Sequence, residues 1–78
     1  ARPTLVGDTL YVASESGFLH AVDVTTHKDR WPPFKTEGQL LTSPVVVDNT
    51  VYVATSNGKV YMVDAATGNG RQLYPQPK

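Results

Sequence analysis

Pro44-Val45-Val46-Val47-Asp48-Asn49-Thr50-Val51-Tyr52-Val53-Ala54 restates, forty-one residues on, what Pro3-Thr4-Leu5-Val6-Gly7-Asp8-Thr9-Leu10-Tyr11-Val12-Ala13 has already said. The echo continues without a gap to Arg71 over Arg30, through the identical pairs Gly17/Gly58, Val22/Val63, Asp23/Asp64 and Thr26/Thr67. A unit of this length cannot bury its own apolar faces, so such units are stable when stacked on similar neighbours. The chain therefore divides into a first repeat over residues 1–41 and a second over residues 42–78.

Within each repeat the residue types are those of short strands joined by tight turns. Thr4-Leu5-Val6 and Thr9 to Ser14 are rich in β-branched and aromatic residues and flank the turn pair Gly7-Asp8. Ser16-Gly17 reverses the chain into Phe18 to Val22. The second repeat follows with Val45 to Val47, Asp48-Asn49, Thr50 to Thr55, Asn57-Gly58 and Lys59 to Val63. Asn57-Gly58 is the strongest hairpin signal, because a two-residue type I′ turn needs positive φ at both central residues. A fourth, weaker strand is expected from Arg30-Trp31 towards Phe34-Lys35, and from Arg71 to Tyr74. Gly, Pro and paired turn residues interrupt the chain every six to ten positions, which leaves no amphipathic stretch long enough for a helix. The prediction is all-β: two four-stranded antiparallel meanders. Consecutive apolar residues in Leu10-Tyr11-Val12-Ala13 and Val60-Tyr61-Met62-Val63 imply strands covered on both faces.

Composition narrows the function classes. Seven basic residues balance seven acidic ones and both are scattered singly, so there is no electrostatic footprint for nucleic acid. No apolar run approaches the ~20 residues of a membrane-crossing helix, and membrane insertion is not expected. A chain of 78 residues buries only roughly 60% of its unfolded surface. It has no Cys for a disulfide and only His20 and His27, far from metal-ligand spacing. Neighbouring repeats remain as the staple. The start Ala1-Arg2-Pro3 lacks an initiator Met and the apolar stretch of a signal peptide, from which an upstream segment is expected to have been removed.

The stretches Ser43 to Val53 and Asn57 to Gly68 resemble the repeat of the pyrroloquinoline-quinone-like β-propellers. That repeat runs Pro, an apolar run, a turn, Val-Tyr-Val, Asp/Asn-Gly, a further strand, and Asp-x-x-Thr-Gly with a Trp four residues later. The first unit keeps Ala21, Asp23, Thr26 and Trp31 of the docking motif, with His27 in place of the Gly. The second keeps Asp64, Thr67 and Gly68, with Met62 for the Ala and Gln72 for the Trp. The resemblance implies two blades of a seven- or eight-bladed ring. Either the chain is a piece of a longer propeller, which single-chain precedent favours, or several copies assemble. Its partners are then other blades and, through the loops, proteins. It also implies an extracytoplasmic or periplasmic location.

Members of this kind include quinoprotein dehydrogenases, the periplasmic propeller of outer-membrane protein assembly and sensor ectodomains. The reading favoured is a non-catalytic, protein-binding scaffold; the alternative is a segment of a quinoprotein dehydrogenase. The calcium-binding Glu, Asn and Asp, the adjacent Cys pair and the Trp floor that such enzymes resemble one another in cannot be assigned here, so no catalytic, cofactor or metal residue is expected. Asp23 and Asp64 recur once per unit, whereas an active site is needed once per ring, and this favours carboxylates that accept backbone N–H bonds two or three residues on. Trp31 is expected to pack on the next blade. His20 reads as a packed strand residue and His27 as a solvated turn residue. Gly68-Asn69-Gly70 lacks the third Gly and the helix of a dinucleotide fingerprint. Gly17, Asn57 and Gly58 are hairpin turns. The loop from Lys35 to Ser43 is the first candidate for a binding surface, with Leu40 and Leu41 read as inner-strand residues rather than an exposed contact.

Overall fold

A computed structural model describes residues 2–40 and 42–75, and Leu41 lies outside the described residues. Among these residues there is no helix, and the chain is two antiparallel sheets. The first carries β1 (Thr4–Val6), β2 (Thr9–Ala13), β3 (Phe18–Asp23) and β4 (Lys28–Asp29) in that order, with β5 (Phe34–Lys35) also paired to β3. The second carries β6 (Val45–Val47), β7 (Thr50–Ala54), β8 (Val60–Asp64) and β9 (Gly70–Tyr74) in chain order. These are two propeller blades lying face to face.

The fourth strand of the first blade differs from the expected one. It is split: Lys28–Asp29 pairs with Val22 and Asp23, Phe34–Lys35 pairs with Phe18 and Leu19, and Trp31 leaves the ladder between them. Pro32 and Pro33 have no N–H to donate, so the ladder cannot run through them. In the second blade Leu73-Tyr74 stands in their place, and β9 runs from Gly70 to Tyr74 with one bulge opposite Val60 and Tyr61.

The turns differ too. At Asp48-Asn49 both residues have positive φ, the type I′ signature, whereas at the expected site only Gly58 does (φ 87°). Thr55 N–H donates to Lys59 O at 2.8 Å and Gly58 N–H to Thr55 O at 3.2 Å, which closes a three-residue loop over Ser56-Asn57-Gly58. Ser14, Gly17 and Phe18 make the same pattern in the first blade. The Thr55 hydroxyl, bonded to Asn57 Oδ1 and to Lys59 N–H, favours the longer loop over the two-residue turn.

Strand pairing assigns the faces, since directly opposed residues share one. Tyr11, Ala13, Leu19 and Ala21 of the first blade pack against Val51, Val53, Tyr61 and Val63 of the second, and Trp31, Leu40 and Ala65 complete one core shared by both. Each blade is thus buried on one face and half-exposed on the other, where coverage of both was expected. The edges meet at one side, where Arg2 N–H donates to Ser43 Oγ (3.1 Å) and Thr4 Oγ1 to Pro44 O (2.5 Å).

Candidate functional site

The β3–β4 and β8–β9 turns carry the recurring motif. Asp23 Oδ1 accepts from the amides of Thr25 (2.8 Å) and Thr26 (3.1 Å), and Asp64 Oδ1 from that of Ala66 (2.8 Å). His27 N–H and Gly68 N–H each donate to the carbonyl of their own Asp at 2.8 Å, and both residues are left-handed, at φ 62° and 81°. Both carboxylates are thereby engaged in tying their turns. The Thr26 amide first, then that of Thr25, holds the Asp23 carboxyl below its ordinary value, and Arg30, 3.3 Å away, adds to the effect. Thr26 contributes that amide, and Thr67 Oγ1 accepts from Asn69 N–H at 3.2 Å.

Trp31 joins the blades. Its buried indole Nε1–H donates to Ala65 O at 3.0 Å, and the ring lies so close over Gly68 that a Cβ there would stand 2.5 Å from Trp31 Cγ. Gly68 therefore has two reasons to be Gly: its φ and its neighbour. Ala21, fully buried, accepts from Arg30 N–H at 2.8 Å just before Trp31 departs from the sheet.

The other end of the blades holds the candidate binding surface. Here the β2–β3 loop with Gly17, the β7–β8 loop with Asn57 and Gly58, and the segment after Lys35 converge. That segment is fastened along its length. Thr36, buried, bonds through N–H and Oγ1 to Gly17 O at 2.8 and 2.9 Å; Glu37 N–H donates to Tyr61 Oη at 3.1 Å; Asn57 Nδ2 donates to Glu37 O at 2.9 Å; Ser56 N–H donates to Gln39 O at 2.9 Å. Leu40 is fully buried and bridges to Thr55. What it leaves exposed is Lys35, Glu37 and Gln39, beside Glu15, Ser16, Ser56 and Asn57. This is a polar platform on a fixed backbone, of a kind suited to hydrogen-bonding a partner with little ordering cost. The anchoring role of Tyr61 and Asn57 was not legible from the chain, although Tyr61 stands where the first repeat has His20, which is half-buried opposite Val12.

Among the described residues no three His, Cys, Asp or Glu side chains come together to hold a metal ion.

Solved structures share this geometry. BamB from Moraxella catarrhalis superposes with a TM-score of 0.76 at 25% identity, over 90% of this chain and 21% of its own. A europium-containing methanol dehydrogenase superposes with a TM-score of 0.80 at 23% identity, over 97% of this chain and 15% of its own, a likeness of fold alone. The chain thus spans about a fifth or less of the length of either structure. No curated protein sequence matches it. A family model described as outer membrane protein assembly factor BamB matches residues 1–72, and with the repeat and docking geometry above, the chain belongs to that family of pyrroloquinoline-quinone-like propellers.

Proposed function

We infer that the chain is part of a propeller acting as a non-catalytic protein-binding scaffold in outer-membrane protein assembly, on the periplasmic side. The observation that carries this reading is the fastened platform at the Gly17, Glu37 and Asn57 end: exposed polar side chains on a backbone pinned by five hydrogen bonds, two to the first blade and three to the second. The family match over residues 1–72 supports the assembly role. The competing reading, a quinoprotein dehydrogenase segment, rests on a likeness of fold.

Two measurements separate them. Trp31 is the only Trp, so its emission reports on the folded chain directly. Titration with pyrroloquinoline quinone and calcium is expected to leave that emission unchanged, and saturable quenching would defeat the scaffold reading. Photo-crosslinkers at Ser16, Gln39 and Ser56 are expected to capture a polypeptide of the outer-membrane assembly machinery, while one at Asp8, on the opposite end, captures none. Equal capture from both ends would remove the platform from its assigned role.

A further inference from the structure

Two Asn-Gly pairs stand on the second blade, Asn57-Gly58 in the β7–β8 loop and Asn69-Gly70 where β9 begins. In such a pair the following backbone nitrogen can attack the Asn carboxamide, and Gly brings no side chain to crowd that nitrogen. The fold treats the two pairs oppositely. At Asn57 both ends of the carboxamide are held: Oδ1 accepts from the Thr55 hydroxyl and Nδ2 donates to Glu37 O at 2.9 Å, while the Gly58 N–H that would attack donates to Thr55 O at 3.2 Å.

At Asn69 only the backbone is tied. Its N–H donates to Thr67 Oγ1 at 3.2 Å and its carbonyl accepts from Asp64 N–H at 2.8 Å, and among the described residues its carboxamide has no partner. Bonded and unbonded pairs alternate along an antiparallel ladder. Asp64 opposite Asn69 is a bonded position, so Val63 opposite Gly70 is an unbonded one, and the Gly70 N–H points away from β8 towards the edge that β9 forms. Packing fixes Gly70 in place, since a Cβ there would stand 2.7 Å from Phe34 Cε1 and 2.8 Å from Val63 Cγ2. Lys28 and Asp29, the counterparts of Asn69 and Gly70 one repeat earlier, stay exposed although the second blade covers the first. A further blade on the second therefore leaves Asn69 open to water.

We propose that Asn69 is a site of spontaneous deamidation through a cyclic imide, and that the fold protects Asn57 from the same reaction. Solvent hydroxide takes the Gly70 amide proton, the nitrogen bonds to Asn69 Cγ, and the Cγ–Nδ2 bond breaks as ammonia leaves with a proton from water. Water then opens the imide at either carbonyl. Opening at Cγ leaves aspartate, whereas opening at the main-chain carbon leaves isoaspartate, whose backbone runs through Cβ and Cγ. The second product takes out of the main chain the carbonyl that Asp64 N–H bonds, and so slackens the turn that sets Gly68 under Trp31.

Peptide mapping of the intact propeller tests this, after incubation of the folded protein in mildly alkaline buffer. Trypsin cuts at Lys59, between the sites, and mass spectrometry with fragmentation that distinguishes isoaspartate reads each one separately. Acid in place of amide is expected at Asn69 about 10-fold or more faster than at Asn57, a ratio set by the hydrogen bonds that must open first. In denaturant the two rates are expected to converge. No conversion at Asn69, equal or faster conversion of Asn57 in the folded protein, or a ratio that persists unchanged in denaturant would each overturn the proposal. Asn69→Ser is expected to abolish the gain of acid in its peptide, and a gain that survives it would overturn the assignment to Asn69.

Discussion

Trp31 is the residue on which the joint between blades turns. Trp31→Ala is expected to cost about 3–5 kcal/mol, as loss of a buried aromatic does. Trp31→Phe keeps most of the ring but orphans the Ala65 carbonyl, for about 1–3 kcal/mol; denaturant melts followed by circular dichroism measure both. The two left-handed turn positions should respond in opposite directions. Gly68→Ala drives a Cβ into Trp31 at a φ of 81°, with an expected loss of about 2 kcal/mol or more, whereas His27→Gly relieves a strained φ of 62° in open solvent and gains about 0.5–1 kcal/mol. Asp23 carries a pH signature. Its folded carboxyl titrates below the ordinary 3.8, so its contribution to stability is present above the unfolded value and is lost as pH falls through the folded one. A carbon-detected titration should place its midpoint below the ordinary 3.8, and Asp23→Ala should flatten the acid limb of the stability profile.

At the scale of elements, the split fourth strand and the fastened crossover do the positioning. Pro32 and Pro33 stop the ladder where Trp31 must leave it, while the unbroken β9 of the second blade keeps Gln72 inside the sheet. The segment after Lys35 looks from its polarity like a free loop, yet Thr36 and Leu40 are buried and its backbone is bonded to both neighbouring hairpins. Tyr61→Phe removes the acceptor for Glu37 N–H. Amide exchange is expected to accelerate about 10-fold at Glu37 while Val63, in the sheet, keeps its protection, a local loss of about 1 kcal/mol. Uniform acceleration along β8 would mean that the hydroxyl supports the sheet rather than the platform.

At the scale of the whole molecule, the core belongs to neither blade, because each blade supplies one wall of it. Residues 1–41 and 42–78 expressed separately are therefore expected to be unfolded by circular dichroism, and the intact chain to melt in a single transition that Trp31 emission and far-ultraviolet ellipticity report alike. The forty-one-residue echo, the turn pairs and the Asp-x-x-Thr motif were enough to read out every strand but the split fourth of the first blade, their antiparallel order, the propeller family and the self-bonded Asp23 and Asp64, since each rests on local backbone chemistry that neighbouring residues specify. The anchoring of Glu37 by Tyr61, the bond from the Asn57 amide to the Glu37 carbonyl and the choice of which face lies inward came from folding in three dimensions. Those depend on side chains twenty or more residues apart meeting across two sheets, and the same apolar alternation fits either face until the second blade covers one of them.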